Sequence, residues 1–280
     1  MGVLLFAMVS FQTGAALAKQ LFPAVGPQGA VTLRVVLAAI MLLAVQRPWR
    51  GARLTAGQLR SVILYGASLG GMNLCFYMAL KTVPLGICVA LEFTGPLAVA
   101  VVASRRLLDL VWVAMAVAGL LVLSLPHSGT AGPIDPLGVA FALGAGAFWG
   151  LYIVFGRRAG ELNAGRATAL GMVVAALIVA PFGVAHAGWA LWSLALLPVG
   201  AAVGLLSSAL PYTLELFAMV RLPDRVFSIL MSLDPAIAAV SGWLLLGEQL
   251  TPLQIIAIGC VVIASLGSMS GLHRSIELPS

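Results

Sequence analysis

The chain has 280 residues, 61% hydrophobic and 9% charged, with a mean hydropathy of +1.10 and a net charge of +6. Soluble domains carry about 25% charged residues, so this chain cannot cover a water-facing surface, and lipid must contact most of its exterior. The composition excludes an ordinary soluble enzyme. The basic residues lie in short loops without a stripe of interleaved aromatics, so nucleic acid is excluded as a partner.

A bilayer span takes about 20 apolar residues. Apolar stretches between turn or charge signals predict helices at 3–21, 27–45, 60–80, 84–103, 109–126, 136–155, 167–186, 194–219, 224–246 and 252–271. The first run lacks a basic leader and carries Gln12 and Lys19, so no cleavable signal peptide is expected. Pro84, Pro136 and Pro252 fall at predicted helix starts, where a missing N–H is harmless, and Thr251 before Pro252 is placed as an N-cap. Pro96, Pro211 and Pro235 fall inside predicted spans and should kink or break them. Cys75, Cys88 and Cys260 lie within apolar runs and read as small packing residues.

Alternate loops differ in charge. Arg47, Arg50, Arg53, Arg60, Arg105, Arg106, Arg157, Arg158, Arg166, Arg221, Arg225 and Arg274 fall on one side, against Lys81 alone in an opposite loop. Lys and Arg concentrate in cytoplasmic loops, so both termini are expected in the cytoplasm. A faint internal repeat runs at an offset of 139, matching Pro84 with Pro223 and Pro96 with Pro235. Five helices is an odd number, so the second copy must cross the membrane upside down, as inverted repeats of secondary transporters do. The expected fold is all-α and integral to the membrane: ten helices in two inverted five-helix repeats, at 1–130 and 131–280.

The runs Gly70-Gly71-Met72-Asn73, Val83-Pro84-Leu85-Gly86 and Ala90-Leu91-Glu92-Phe93-Thr94-Gly95-Pro96-Leu97-Ala98-Val99 resemble the threonine/homoserine exporters among the EamA-type drug/metabolite transporters. Ala209-Leu210-Pro211-Tyr212-Thr213-Leu214-Glu215 and Met231-Ser232-Leu233-Asp234-Pro235-Ala236, continuing to Leu246-Gly247-Glu248 and Leu250-Thr251-Pro252, are similar to the second half of that group. Residue 234 departs from it, being Asp where the family usually has Glu. The resemblance implies export of threonine, homoserine or similar amino acids across the inner membrane, with coupling to protons expected, since the chain shows no ATP-binding P-loop. Another metabolite or drug (a nucleoside, an aromatic amino acid, a cationic drug) is the alternative substrate for the same fold. No cofactor or metal is expected.

Charges within a bilayer are costly and tend to face cavities or partners. Glu92 in helix 4, Glu215 in helix 8 and Asp234 in helix 9 are the acidic candidates for the substrate and proton pathway. Glu92 either lines a cavity or partners Lys19 or Arg34. Glu215 lines the pathway or pairs with Arg221, and Asp234 lines it or caps a broken helix. Lys19 either binds a substrate carboxylate or snorkels to the interface. Asn73, Tyr77, Trp149 and Tyr152 supply hydrogen bonds or aromatic lining, with packing as the alternative. Arg34 reads as an architectural anchor, Pro96 and Pro235 as helix breaks, and Glu248 as a residue that steadies the turn after helix 9. Gly138, Ala142, Gly146 and Gly150 place small residues on one face for close packing. An intramembrane zinc protease is disfavoured: no His-Glu-x-x-His occurs, and His127, His186 and His273 all lie near loops or the tail.

Overall fold

The computed structural model describes residues 2–51, 53–103, 135–161, 163–222 and 230–273, with isolated positions at 111, 114–115, 118–119 and 227. The predicted fifth span, the first part of the ninth, and the expectations for Arg105, Arg106, Pro223, Arg225 and Arg274 lie largely outside these residues.

All described regular structure is helical. α1 spans Gly2–Lys19, α2 Phe22–Gln46 and α3 Ala56–Leu80. The predicted fourth span is two helices, α4 Leu85–Glu92 and α5 Thr94–Ala103. α6 covers Pro136–Gly160 and α7 Ala164–Ala187, followed by a 3-10 turn at Gly188–Trp192. α8 (Leu196–Gly204) passes through a π-helical turn at Leu205–Ala209 into α9 (Leu210–Met219). α10 is Asp234–Leu246 and α11 Pro252–His273. Six of the described helical stretches are long and apolar enough to cross a membrane, and three shorter apolar helices accompany them.

The distribution of side chains is inside-out relative to a soluble protein. Val45, Leu177, Leu244 and Ile256 are 62–75% exposed, while Gln12 and Arg34 are fully buried. Water would penalise that exterior and lipid does not, so this is a multi-pass membrane protein.

α3 packs on α6 and α7, α2 on α7, α4 on α10, and α1 on α9 and α10. The glycine stripe of α6 brings that helix close to α4 and α5 as well. A Cβ on Gly146 would stand 2.6 Å from the Glu92 carbonyl, and one on Gly95 would overlap the Gly146 carbonyl. Backbone therefore meets backbone where α4 gives way to α5. A kink absent from the sequence reading occurs in α2: Gly26 takes φ 67° before Pro27, a left-handed conformation that glycine tolerates.

Helix ends sort into two groups. Gly51 abuts Arg166 and Gly165 abuts Gln46, while Gly160 meets Val220. At the opposite ends of α2, α7 and α6, Gly26 abuts His186 and Gly138 abuts Thr82; Lys19, at the end of α1, meets Glu248 beside the start of α4. The expected N-cap at Thr251 is present: its Oγ1 accepts from the Gln254 N–H, and the Gln254 side chain accepts from the Thr251 N–H.

Candidate functional site

Three prolines create the site by depriving carbonyls of their helical partners. A residue at i normally donates its N–H to the carbonyl at i−4. Pro96 has no N–H, so the Glu92 carbonyl is left free and α4 ends there. Thr94 closes the break by donating its hydroxyl to the Leu91 carbonyl at 2.7 Å. Pro235 does the same to Met231, and α10 begins at Asp234. Pro211 frees the Ser207 carbonyl beside the π turn. Glu92 and Asp234, expected near the middle of helices, therefore stand at helix ends, Glu92 at the last residue of α4 and Asp234 in the first turn of α10.

These breaks surround a cavity that, with its open mouth included, encloses about 450 Å³ of space. Glu92, Glu215 and Asp234 all line it, together with Trp149 and Tyr152. Phe11, Tyr212 and the methionines Met8, Met72 and Met231 complete much of the wall. Among the described residues the lining holds three carboxyls and no basic side chain. Asp234 Oδ1 accepts a 3.0 Å hydrogen bond from Gln12 Nε2. Glu215 lies beside the Tyr152 hydroxyl, and the Phe93 ring meets Trp149 edge-on at 5.3 Å. Buried carboxyls without a basic neighbour in the wall need a proton or a cationic group to neutralise them, which is what a cation-binding or proton-carrying site requires.

Asn73 and Tyr77 do not line this cavity; they stand one layer behind it. Asn73 exchanges hydrogen bonds with the Tyr212 hydroxyl at 3.1 and 3.2 Å. Tyr77 accepts from Arg34 at 3.0 Å. Arg34 is a buried hub. It donates to Ser208 Oγ at 2.7 Å, to the Ser207 carbonyl at 2.6 Å and to Tyr212 Oη at 3.3 Å. The Ser207 carbonyl is the one Pro211 sets free.

Lys19 does not line the cavity. Its ammonium pairs with Glu248 Oε1 at 2.6 Å, outside the cavity wall. The other oxygen of Glu248 accepts from the Leu85 N–H at 2.7 Å. Glu248 therefore does more than steady its own turn, tying together the ends of α1 and α10 and the start of α4. Arg221 stacks on Phe217, its guanidinium carbon 3.5 Å from the ring centroid, rather than pairing with Glu215.

Ser207, Ser208 and Phe11 were not singled out as site residues in the sequence. Ser207 carried a usable signal, since it stands four residues before Pro211. Phe11 carried none: one aromatic in an apolar helix looks like any other. Three pairs separated by 139 residues converge here. Met72 and Pro211 both line the cavity, as do Glu92 and Met231, and Asn73 bonds to Tyr212.

The model of the EamA-like transporter family matches residues 136–270. A protein of Escherichia coli (strain K12), named threonine/homoserine exporter RhtA, is 52% identical over 276 residues, covering 99% of this chain and 93% of its own. A protein of the same name from Salmonella typhimurium (strain LT2) is 50% identical with the same coverage. A protein of known crystal structure is similar with a TM-score of 0.66 and 19% identity over 99% of each chain, a likeness that concerns the fold alone.

Proposed function

The chain belongs to the EamA-like transporter family, and on that premise we propose that it exports small amino acids, threonine and homoserine, from the cytoplasm across the inner membrane. It is a transporter and not an enzyme. The observation that carries the substrate is half-identity, along nearly the whole chain, to proteins named for the export of those two amino acids.

The proposed architecture is ten helices in two inverted repeats, residues 1–130 and 131–280. Its support is geometric. A pair of repeat-equivalent residues can touch only near the axis relating the repeats, and Asn73 and Tyr212, 139 apart, are hydrogen-bonded. The two groups of helix ends agree with the alternation of basic loops: the ends that meet at Gly51 and Arg166 carry the arginines, and those that meet at Lys19 and Glu248 do not. Both termini are accordingly placed in the cytoplasm.

Export is proposed to proceed by alternating access with proton antiport. Leu4, Ala7 and Met8 line the cavity from the cytoplasmic half of α1, while Lys19 and Glu248 tie the outer ends of α1, α4 and α10. This arrangement corresponds to a state closed to the outside. Glu92, Glu215 and Asp234 then accept either the substrate ammonium or a proton, so that loading one displaces the other. Transport into inverted membrane vesicles tests this. Labelled threonine and homoserine should accumulate when the vesicle interior is acidified, and collapse of the pH gradient should abolish accumulation. Absence of uptake under both conditions, with the protein present in the membrane, refutes the reading.

A further inference from the structure

An amino acid carries a carboxylate as well as an ammonium, yet the described cavity wall offers three acids and no base. Lys19, the expected partner for the carboxylate, is held by Glu248 away from the cavity. Among the described residues, Arg34 is a cation that stands against the cavity wall, and its placement is unusual. It is fully buried, and no carboxylate pairs with it among the described residues. Its hydrogen bonds go to neutral oxygens: Ser208 Oγ, the Ser207 carbonyl, Tyr77 Oη and Tyr212 Oη. Those four bonds leave one of its five N–H groups without a partner among the described residues.

A buried guanidinium without an acid is costly, and such groups mark functional pathways in membrane proteins. Part of the compensation here is aromatic. The guanidinium carbon lies 4.9 Å from the centroid of Phe11, 5.1 Å from Tyr77 and 6.0 Å from Tyr212. Phe11 and Tyr212 also form the cavity wall. The positive charge therefore stands one ring behind the cavity, on the far side of the rings that a bound substrate touches.

We propose that Arg34 is the carboxylate subsite of the transporter, screened by Phe11 and Tyr212 in this state and reached by the substrate carboxylate when the Phe11 ring swings aside. This inference rests on the amino-acid exporter reading above. The carboxylate takes the unpartnered N–H and displaces the Tyr212 hydroxyl, the longest of the four bonds at 3.3 Å. Asn73 retains that hydroxyl through its own two bonds. The exchange gives Arg34 the bidentate pair its geometry suits, while the acids across the cavity hold the ammonium. A site built this way discriminates strongly against a compound lacking the carboxylate, because the exposed guanidinium would then be left unpaired.

The test compares homoserine with 3-amino-1-propanol, the same molecule without its carboxylate, as competitors of labelled homoserine in proteoliposomes of the full-length protein. The unsubstituted protein should prefer homoserine by on the order of a hundredfold, and Arg34→Gln should bring the ratio down by about tenfold or more. Arg34→Lys should recover part of it. Equal loss of both competitors in Arg34→Gln, with the ratio unchanged, overturns the proposal. Should Arg34→Gln fail to accumulate in the membrane, Phe11→Leu decides. Thinning the screen should raise the homoserine preference, and an unchanged ratio there also overturns it. An unsubstituted protein that transports homoserine but does not distinguish the two competitors refutes the Arg34 assignment and leaves the exporter reading intact. Transport of neither threonine nor homoserine refutes the exporter reading itself.

Discussion

Glu248→Gln should open the transporter toward the outside. Glu248 receives the Lys19 ammonium at 2.6 Å on one oxygen and the Leu85 N–H at 2.7 Å on the other. Glutamine preserves the shape and one acceptor but loses the charge and one of the two contacts. An exposed ion pair contributes about 0.2–1 kcal/mol, and a hydrogen bond to a charged group about 1.5–3 kcal/mol. The two side chains are 25% and 13% exposed, so the pair lies between these limits, and about 1.5 kcal/mol is a reasonable loss. Where the contacts exist only in the state closed to the outside, that loss raises the outward-open population about tenfold. A cysteine at Met8, which lines the cavity, reports this population in a background lacking Cys75, Cys88 and Cys260. A membrane-impermeant maleimide added outside should label it about ten times faster in Glu248→Gln. Lys19→Met should act in the same direction, and the double substitution should add little, since both remove one interaction. Labelling at the parental rate in both single variants would refute the assignment of this cluster as the outer closure.

Glu92→Gln should abolish transport driven by a pH gradient while leaving membrane abundance near normal, because the amide fills the same space at the end of α4 but cannot carry the proton; transport of ordinary pH dependence would remove Glu92 from that role. Gly95→Ala should destabilise the protein by roughly 1–3 kcal/mol or more, because its Cβ falls on the Gly146 carbonyl, whereas Gly144→Ala, whose Cβ meets only Cys75 Sγ at 3.7 Å, should be near neutral. Thermal unfolding in detergent compares the two. Single cysteines at Arg53 and Arg158 should react only from the cytoplasm and one at Gly188 only from outside. Reaction of Arg53 and Gly188 from the same side would break the proposed topology.

Much of the frame was legible in the chain because the bilayer imposes simple rules. A span must be about 20 residues long and apolar, so the positions of α1, α2, α3, α6 and α7 followed to within a few residues at most ends. The helix breaks were legible for a different reason: a proline cannot donate, whatever surrounds it, so Pro96, Pro211 and Pro235 announced interruptions from composition alone. The gathering of Glu92, Glu215 and Asp234 into one cavity was only suggested, through the cost of charge in lipid. Their exact stations differed, since a proline ends the helix before itself and thereby moved Glu92 and Asp234 from mid-span to helix ends.

The partners of the cations were not legible. Lys19 and Glu248 are 229 residues apart, and Arg34 and Ser208 are 174 apart; no local periodicity relates them. Local sequence determines what depends on the chain alone, namely which segments suit lipid, which side of the membrane their arginines favour, and where backbone bonding must fail. Which acid meets which base depends on how helices from both halves come together, and hydrogen bonds reach only about 3 Å. Tertiary packing therefore decided that Lys19 joins Glu248 at a helix end, that the carbonyl freed by Pro211 goes to Arg34, and that a buried positive charge stands behind Phe11 and Tyr212 rather than in the open cavity.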